Sequence, residues 1–102
     1  MNCIDELEQL LKEAEVPCEV RDCCGGRQIV VQIGEDHRNI IDAIYSKFSY
    51  GYDEGLLEIM GGLTKEEEEI DSVKGYLTPE EVAERFIYCY RKGTTIYERR
   101  TN

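Results

Sequence analysis

The chain has no tryptophan, a single histidine, two prolines, two methionines and only 12 lysines and arginines against 22 aspartates and glutamates. Each scarcity excludes something. With one histidine, His37, a general base near neutral pH or a Cys-His nucleophile pair has one candidate only. Few prolines and 41% apolar residues argue against a disordered or collagen-like chain. The deficit of positive charge leaves a formal net of -10, a surface that repels nucleic-acid phosphates and anionic membranes and suits a basic protein partner. No uninterrupted apolar run reaches the length of a membrane span, and the first six residues are acidic and unlike an export signal. The expectation is one soluble, cytoplasmic domain over residues 1–102.

Five cysteines are present, Cys3, Cys18, Cys23, Cys24 and Cys89, an odd number that fits reduced thiols in a cytosol. No two are separated by two residues. Cys23 and Cys24 are adjacent, which suits neither a relaxed disulfide nor joint tetrahedral metal coordination, so no metal and no cofactor is expected. Gly25-Gly26 and Gly61-Gly62 lack the Lys-Ser/Thr of a phosphate loop and read as turn and cap.

Hydrophobic spacing organises the rest. Ile4, Leu7, Leu10, Leu11 and Ala14 form one stripe of a helix over Asn2 to Glu15, stopped before Pro17. From Val16 to Ile33 the period falls to two. Pairing across Cys23-Cys24-Gly25-Gly26 sets Asp22 against Arg27, Val20 against Ile29, Cys18 against Val31 and Val16 against Ile33, with only Val30 breaking the alternation. This is a hairpin with one apolar face. Its turn and His37 fall at opposite ends of a strand, on the order of 20 Å apart at about 3.3 Å per residue. That separation disfavours a thiol enzyme built on Cys23 or Cys24.

Asp36 can cap a central helix carrying Ile40, Ile41, Ile44, Tyr45 and Phe48. Ser49-Tyr50-Gly51-Tyr52 breaks it, and Asp53 caps a second short helix through Leu56, Leu57, Ile59 and Met60, ended by Gly61-Gly62. Thr64 and Glu67 have capping-box spacing before an acidic helix whose apolar anchors are Ile70 and Val73, stopped by Gly75. Thr78-Pro79-Glu80-Glu81 opens a last helix with Val82, Phe86, Cys89 and Tyr90 as its stripe, widened by Ala83 and Ile87 and closed by Arg91, Lys92 and Gly93. Thr94 to Tyr97 is available as an edge strand for the hairpin. The expected fold is α+β: an antiparallel hairpin, with this third strand if it joins, packed against four or five short helices.

Two stretches stand out as candidate surfaces. Seven of the nine aromatic residues are tyrosine, all nine lie between Tyr45 and Tyr97, and Tyr50 and Tyr52 occupy a glycine-flanked elbow with Asp53 and Glu54. Tyrosine is favoured at interfaces, though rings also lid small cores. Glu66, Glu67, Glu68, Glu69 and Asp71 make an acidic block that can imitate a row of phosphates, or simply form a solvated helix face. Residues 50–81 hold ten acids and two bases. The basic cluster Arg91, Lys92, Arg99 and Arg100 reads as helix-dipole complement and tail, so direct nucleic-acid binding is not expected.

The segment FSYGYDEGLLEIMGGLTKEEEEIDSVKGYLTPEEVAERF, followed by IYCYRKGTTIYE, resembles small uncharacterised accessory proteins encoded by prophages and mobile elements of Gram-positive gut bacteria. The resemblance rests on Glu54 to Thr64 and Asp71 to Thr78. It implies a setting and assigns no catalytic residue. By analogy, small acidic phage proteins include anti-CRISPR inhibitors that occupy a nuclease's DNA-binding surface. The expected function is a non-enzymatic, acidic protein-interaction module that inhibits a basic nucleic-acid-binding protein by charge mimicry. A homo-oligomeric structural or regulatory module is the alternative class, and a small thiol enzyme the third.

Overall fold

The computed structural model describes residues 2–98; of the basic cluster, Arg99 and Arg100 lie outside them. Helix α1 (Cys3–Glu13) begins with Asn2 accepting a hydrogen bond from the Asp5 amide at 3.0 Å, which satisfies one free first-turn donor. It buries Cys3, Ile4, Leu7 and Leu11, four residues of the expected stripe or next to it. The hairpin follows as β1 (Glu19–Cys23) and β2 (Gly26–Gln32), with Val20 opposite Ile29 and Asp22 opposite Arg27 as the sequence pattern requires.

The central helix does not exist. Ile40–Ser46 is a strand, β3, antiparallel to β2, and Leu57–Met60 is another, β4, where a second short helix was expected. A fifth strand, β5 (Val73–Leu77), occupies the place assigned to a helix stop. The sheet is a meander in the order β1-β2-β3-β4-β5, every neighbour antiparallel. With α2 (Lys65–Ile70) and α3 (Pro79–Lys92), the α+β class stands, but a five-stranded sheet and three α-helices replace a hairpin with four or five helices. Thr94 to Tyr97 does not join the hairpin either. It touches the fold through a parallel bridge between Leu63 and Ile96, just past the end of β4.

The reason lies in alternation across β3. Ile41, Ala43 and Tyr45 face α1 and α3, which pack against each other on one side of the sheet, together with Ile29, Val31, Leu57, Ile59 and Leu77. Ile40 and Ile44 point to the opposite face. Apolar residues on both faces of a strand mimic a helical stripe, and the β-branched isoleucines favour the strand. Ile41 and Leu57 on the sheet and Ile4, Leu7, Leu11 and Phe86 on the helices are all fully buried between the two layers.

Helix α3 keeps its expected start. Thr78 accepts from the Glu81 amide at 3.1 Å while the Glu81 carboxylate accepts from the Thr78 amide at 3.2 Å, and Pro79 sits in the first turn. Gly93, at φ 72°, closes the helix in the left-handed region. Tyr90 is exposed, and the buried stripe instead includes Arg85.

Candidate interaction surface at the aromatic elbow

The β3–β4 connection, residues 47–56, is built by short-range bonds. Ser49 Oγ donates to the Ser46 carbonyl at 2.7 Å and accepts from the Ser46 amide at 3.0 Å, which pins the chain as it leaves β3. Gly51, at φ 101°, turns it back, and its carbonyl accepts from Glu54 and Leu56 at 3.0 and 2.9 Å. The Tyr52 ring lies 4.7 Å from that of Tyr45, tilted by 33°, and Tyr45 Oη donates to the Tyr52 carbonyl at 3.3 Å. Tyr52 is thereby held while its edge remains in solvent.

Tyr50 is fixed through its backbone, its ring free. Its amide donates to Glu58 Oε1 at 3.0 Å, and its carbonyl accepts from the Tyr76 amide at 3.3 Å. Gly75 permits this approach, because a Cβ there would overlap the Tyr50 Cβ. Tyr76 adopts φ 61°, a left-handed conformation costly for a bulky aromatic residue. The result is a cluster of Tyr50, Tyr52 and Tyr76 at one end of the sheet, with Tyr50 and Tyr76 each 58% exposed; Phe48, 79% exposed, lies on the same connection. Asp53 and Glu54 border it, as does Lys47, whose Nζ lies 5.2 Å from the Phe48 ring centroid. Tyr76 escaped the sequence reading as a member of this surface; its signal was the Gly-Tyr pair within a stretch assigned to a helix end.

The acidic block stands elsewhere. β4 leads away from the elbow to α2, and β5 leads back, so the two candidate surfaces lie at opposite ends of a four-residue strand, about 13 Å apart at 3.3 Å per residue. Glu66, Glu68, Glu69 and Asp71 are exposed. Glu67 is occupied within the fold: it completes the capping box with Thr64, accepts two bonds from Arg85 at 2.7 and 3.1 Å, and lies 3.4 Å from Lys74 Nζ. The Arg85 guanidinium holds its carboxyl down at about 2. Arg85 is 4% exposed, also donates to the Gly62 carbonyl at 3.1 Å, and lies 5.0 Å from the Tyr97 ring centroid. It is the buried ion-pair partner of an acid that the sequence offered as a helix cap and as part of the acidic block.

One further carboxylate is shielded. Asp42 lies on the sheet face away from the helices, in register with Val30 and Met60, and accepts from Gln28 Nε2 at 2.6 Å. Burial raises its pKa against the lowering effect of Gln28. A raised folded value means that the charged form is disfavoured in the native state. The contribution to stability is full below the unfolded carboxylate pKa and is lost as pH rises through the folded value. Asp42→Asn, which preserves an acceptor for Gln28, is therefore expected to raise the thermal midpoint at pH 7 and to leave it unchanged below pH ~3, the range in which an ordinary carboxyl is protonated. Thermal melts at the two pH values check it.

His37 is exposed in the β2–β3 turn, at the opposite end of β2 from the Cys23-Cys24 turn. Among the described residues no group of three or more His, Cys, Asp or Glu side chains could hold a metal ion, and no helix is long and apolar enough to cross a membrane. Compared with protein-family models, curated proteins and solved structures, the chain matches none.

Proposed function

We propose that the chain is a non-enzymatic interaction module that docks a basic protein partner through the aromatic elbow. The observation that carries this reading is the convergence of Tyr50, Tyr52 and Tyr76 in solvent beside Asp53 and Glu54. Aromatic rings held by their backbones present large contact area at small entropic cost, and carboxylates at the rim select a cationic partner. The net charge of -10 favours the same partner and adds long-range attraction. In its sharper form the partner is a cytoplasmic nucleic-acid-binding protein, and this chain competes with its nucleic acid.

That sharper form draws on α2, where Glu66, Glu68 and Glu69 are exposed and make no ion pair among the described residues. The two surfaces are separable by mutation. Tagged wild type, a Tyr50→Ala/Tyr76→Ala variant and a Glu66→Gln/Glu68→Gln/Glu69→Gln variant are used to capture partners from bacterial lysate, with elution by salt and then duplex DNA. The affinity of the captured protein is then measured for each. Loss of about 2 kcal/mol or more in the tyrosine variant, near 30-fold in affinity, is the expected result for interface anchors. Binding that survives the tyrosine changes but collapses with the glutamines would move the site to α2. A partner released by DNA supports mimicry, whereas recovery of the chain alone supports the homo-oligomeric alternative.

A further inference from the structure

The turn between β1 and β2 carries chemistry that the elbow does not use. Cys23 closes β1, Cys24 follows at φ 56°, and the structure joins the two as a disulfide between chain neighbours, which reduction opens to two adjacent thiols. Cys24 and Gly25 are exposed and Cys23 is half-buried, so the pair opens onto a shallow cleft lined by Asp22, Cys23, Cys24, Gly25, Gly26 and Arg27. The Lys47 chain runs over the turn, with its Cε 3.2 Å from where a Gly25 Cβ would stand. Arg27 Nε lies 3.6 Å from Asp22 Oδ1. Arg27 and the Lys47 chain thus lie beside the turn that presents the cysteine pair.

The other cysteines are withdrawn from such chemistry. Cys3 and Cys89 are buried, and burial pushes each thiol up to about 11; burial also raises Cys18. Zinc needs about four donors. The cysteine pair supplies two, and no third acid, thiol or imidazole completes a metal group among the described residues. A two-thiol site of this kind matches an electrophile that exchanges two positions.

We propose that Cys23 and Cys24, when reduced, form a vicinal dithiol site that captures trivalent arsenicals. An organic arsenic(III) dihydroxide has two exchangeable arsenic–oxygen bonds. Both break, two arsenic–sulfur bonds form, and each thiol proton leaves with a hydroxyl as water, two waters in all. Neither arsenic nor sulfur changes oxidation state. Once the first thiol has reacted, the second is its neighbour in the chain, so ring closure proceeds at a high effective concentration.

The test uses the full chain, reduced with a phosphine, freed of reductant and titrated with phenylarsine oxide. Intact mass reports the adduct, competition with a monothiol reports its strength, and circular dichroism reports the fold. Wild type should carry one arsenic per chain with loss of water. Cys23→Ser and Cys24→Ser should each hold it more weakly by on the order of 10²-fold or more, because one thiol cannot close the ring. Cys18→Ser should bind as wild type does. The proposal is overturned if folded wild type carries no arsenic, if either turn variant retains it undiminished, or if Cys18→Ser loses it.

Discussion

Arg85→Ala should cost about 3–5 kcal/mol of stability, the range for removing one partner of a buried ion pair. Arg85 is 4% exposed and makes three hydrogen bonds, two to Glu67 and one to the Gly62 carbonyl. Truncation strands both acceptors, deletes the guanidinium beside the Tyr97 ring, and leaves the Glu67 charge without its closest counter-ion. Lys74, at 3.4 Å from Glu67, is too exposed to replace it. Glu67→Gln added to Arg85→Ala should recover part of the loss, since it removes the stranded charge and still permits the cap on Thr64. Urea denaturation of the two variants measures both effects. A loss below about 1 kcal/mol for Arg85→Ala would mean that the pair behaves as a surface contact.

The same pair has a pH signature. Glu67 titrates at about 2 in the folded chain, below its ordinary value, because Arg85 stabilises the carboxylate. The folded state therefore gains stability that is complete above the unfolded carboxylate pKa, near 4.3, and that disappears as pH falls toward about 2. In Arg85→Ala this acid limb should flatten. Stability measured at pH 6 and pH 3 should then differ less than in wild type.

Gly61→Ala is the second large effect, roughly 3 kcal/mol, combining left-handed backbone strain with overpacking. Gly61 sits at φ 84°, and a Cβ there would overlap Cγ2 of Ile41, a side chain with no exposure in the centre of the sheet. Gly55→Ala is the control: its φ is also positive, at 70°, but nothing stands within 4 Å of the added carbon. It should cost about 1–2 kcal/mol, the strain alone. The difference between their urea midpoints isolates the steric part. Equal losses would show that Ile41 yields freely.

Gly61 also marks where sequence reasoning went astray. Gly61-Gly62 reads as the end of a helix, but the glycines lie there because Ile41 and Phe86 crowd them. β4 has four residues and β5 contains a glycine and a register shift against β4, so neither is long or regular enough to display a period of two. β3 failed for the opposite reason, since Ile40 and Ile44 occupy the face turned away from the helices and double the apolar signal. Where one face was polar, as in β1 with Glu19 and Arg21, register could be read from residues alone. Of the four caps read from sequence, Thr64 and Thr78 hold because each acts within three residues of itself, whereas Asp36 and Asp53 precede no α-helix. The elbow was legible only in part. Tyr50 and Tyr52 announced themselves, whereas Tyr76 arrives through a strand pairing 26 residues farther along the chain.

The meander imposes an order of events during synthesis. Every strand pairs with the one before it, and the sheet is complete at Leu77, before the first residue of α3 at Pro79. Until α3 emerges from the ribosome, α1 packs mainly on β2 and β3, and Leu57 and Ile59 on β4 lack the helix that covers them, with Phe86 yet to arrive. A translational pause within residues 79–92 would hold a sticky intermediate in the cell, a substrate for chaperones and for other unfinished chains.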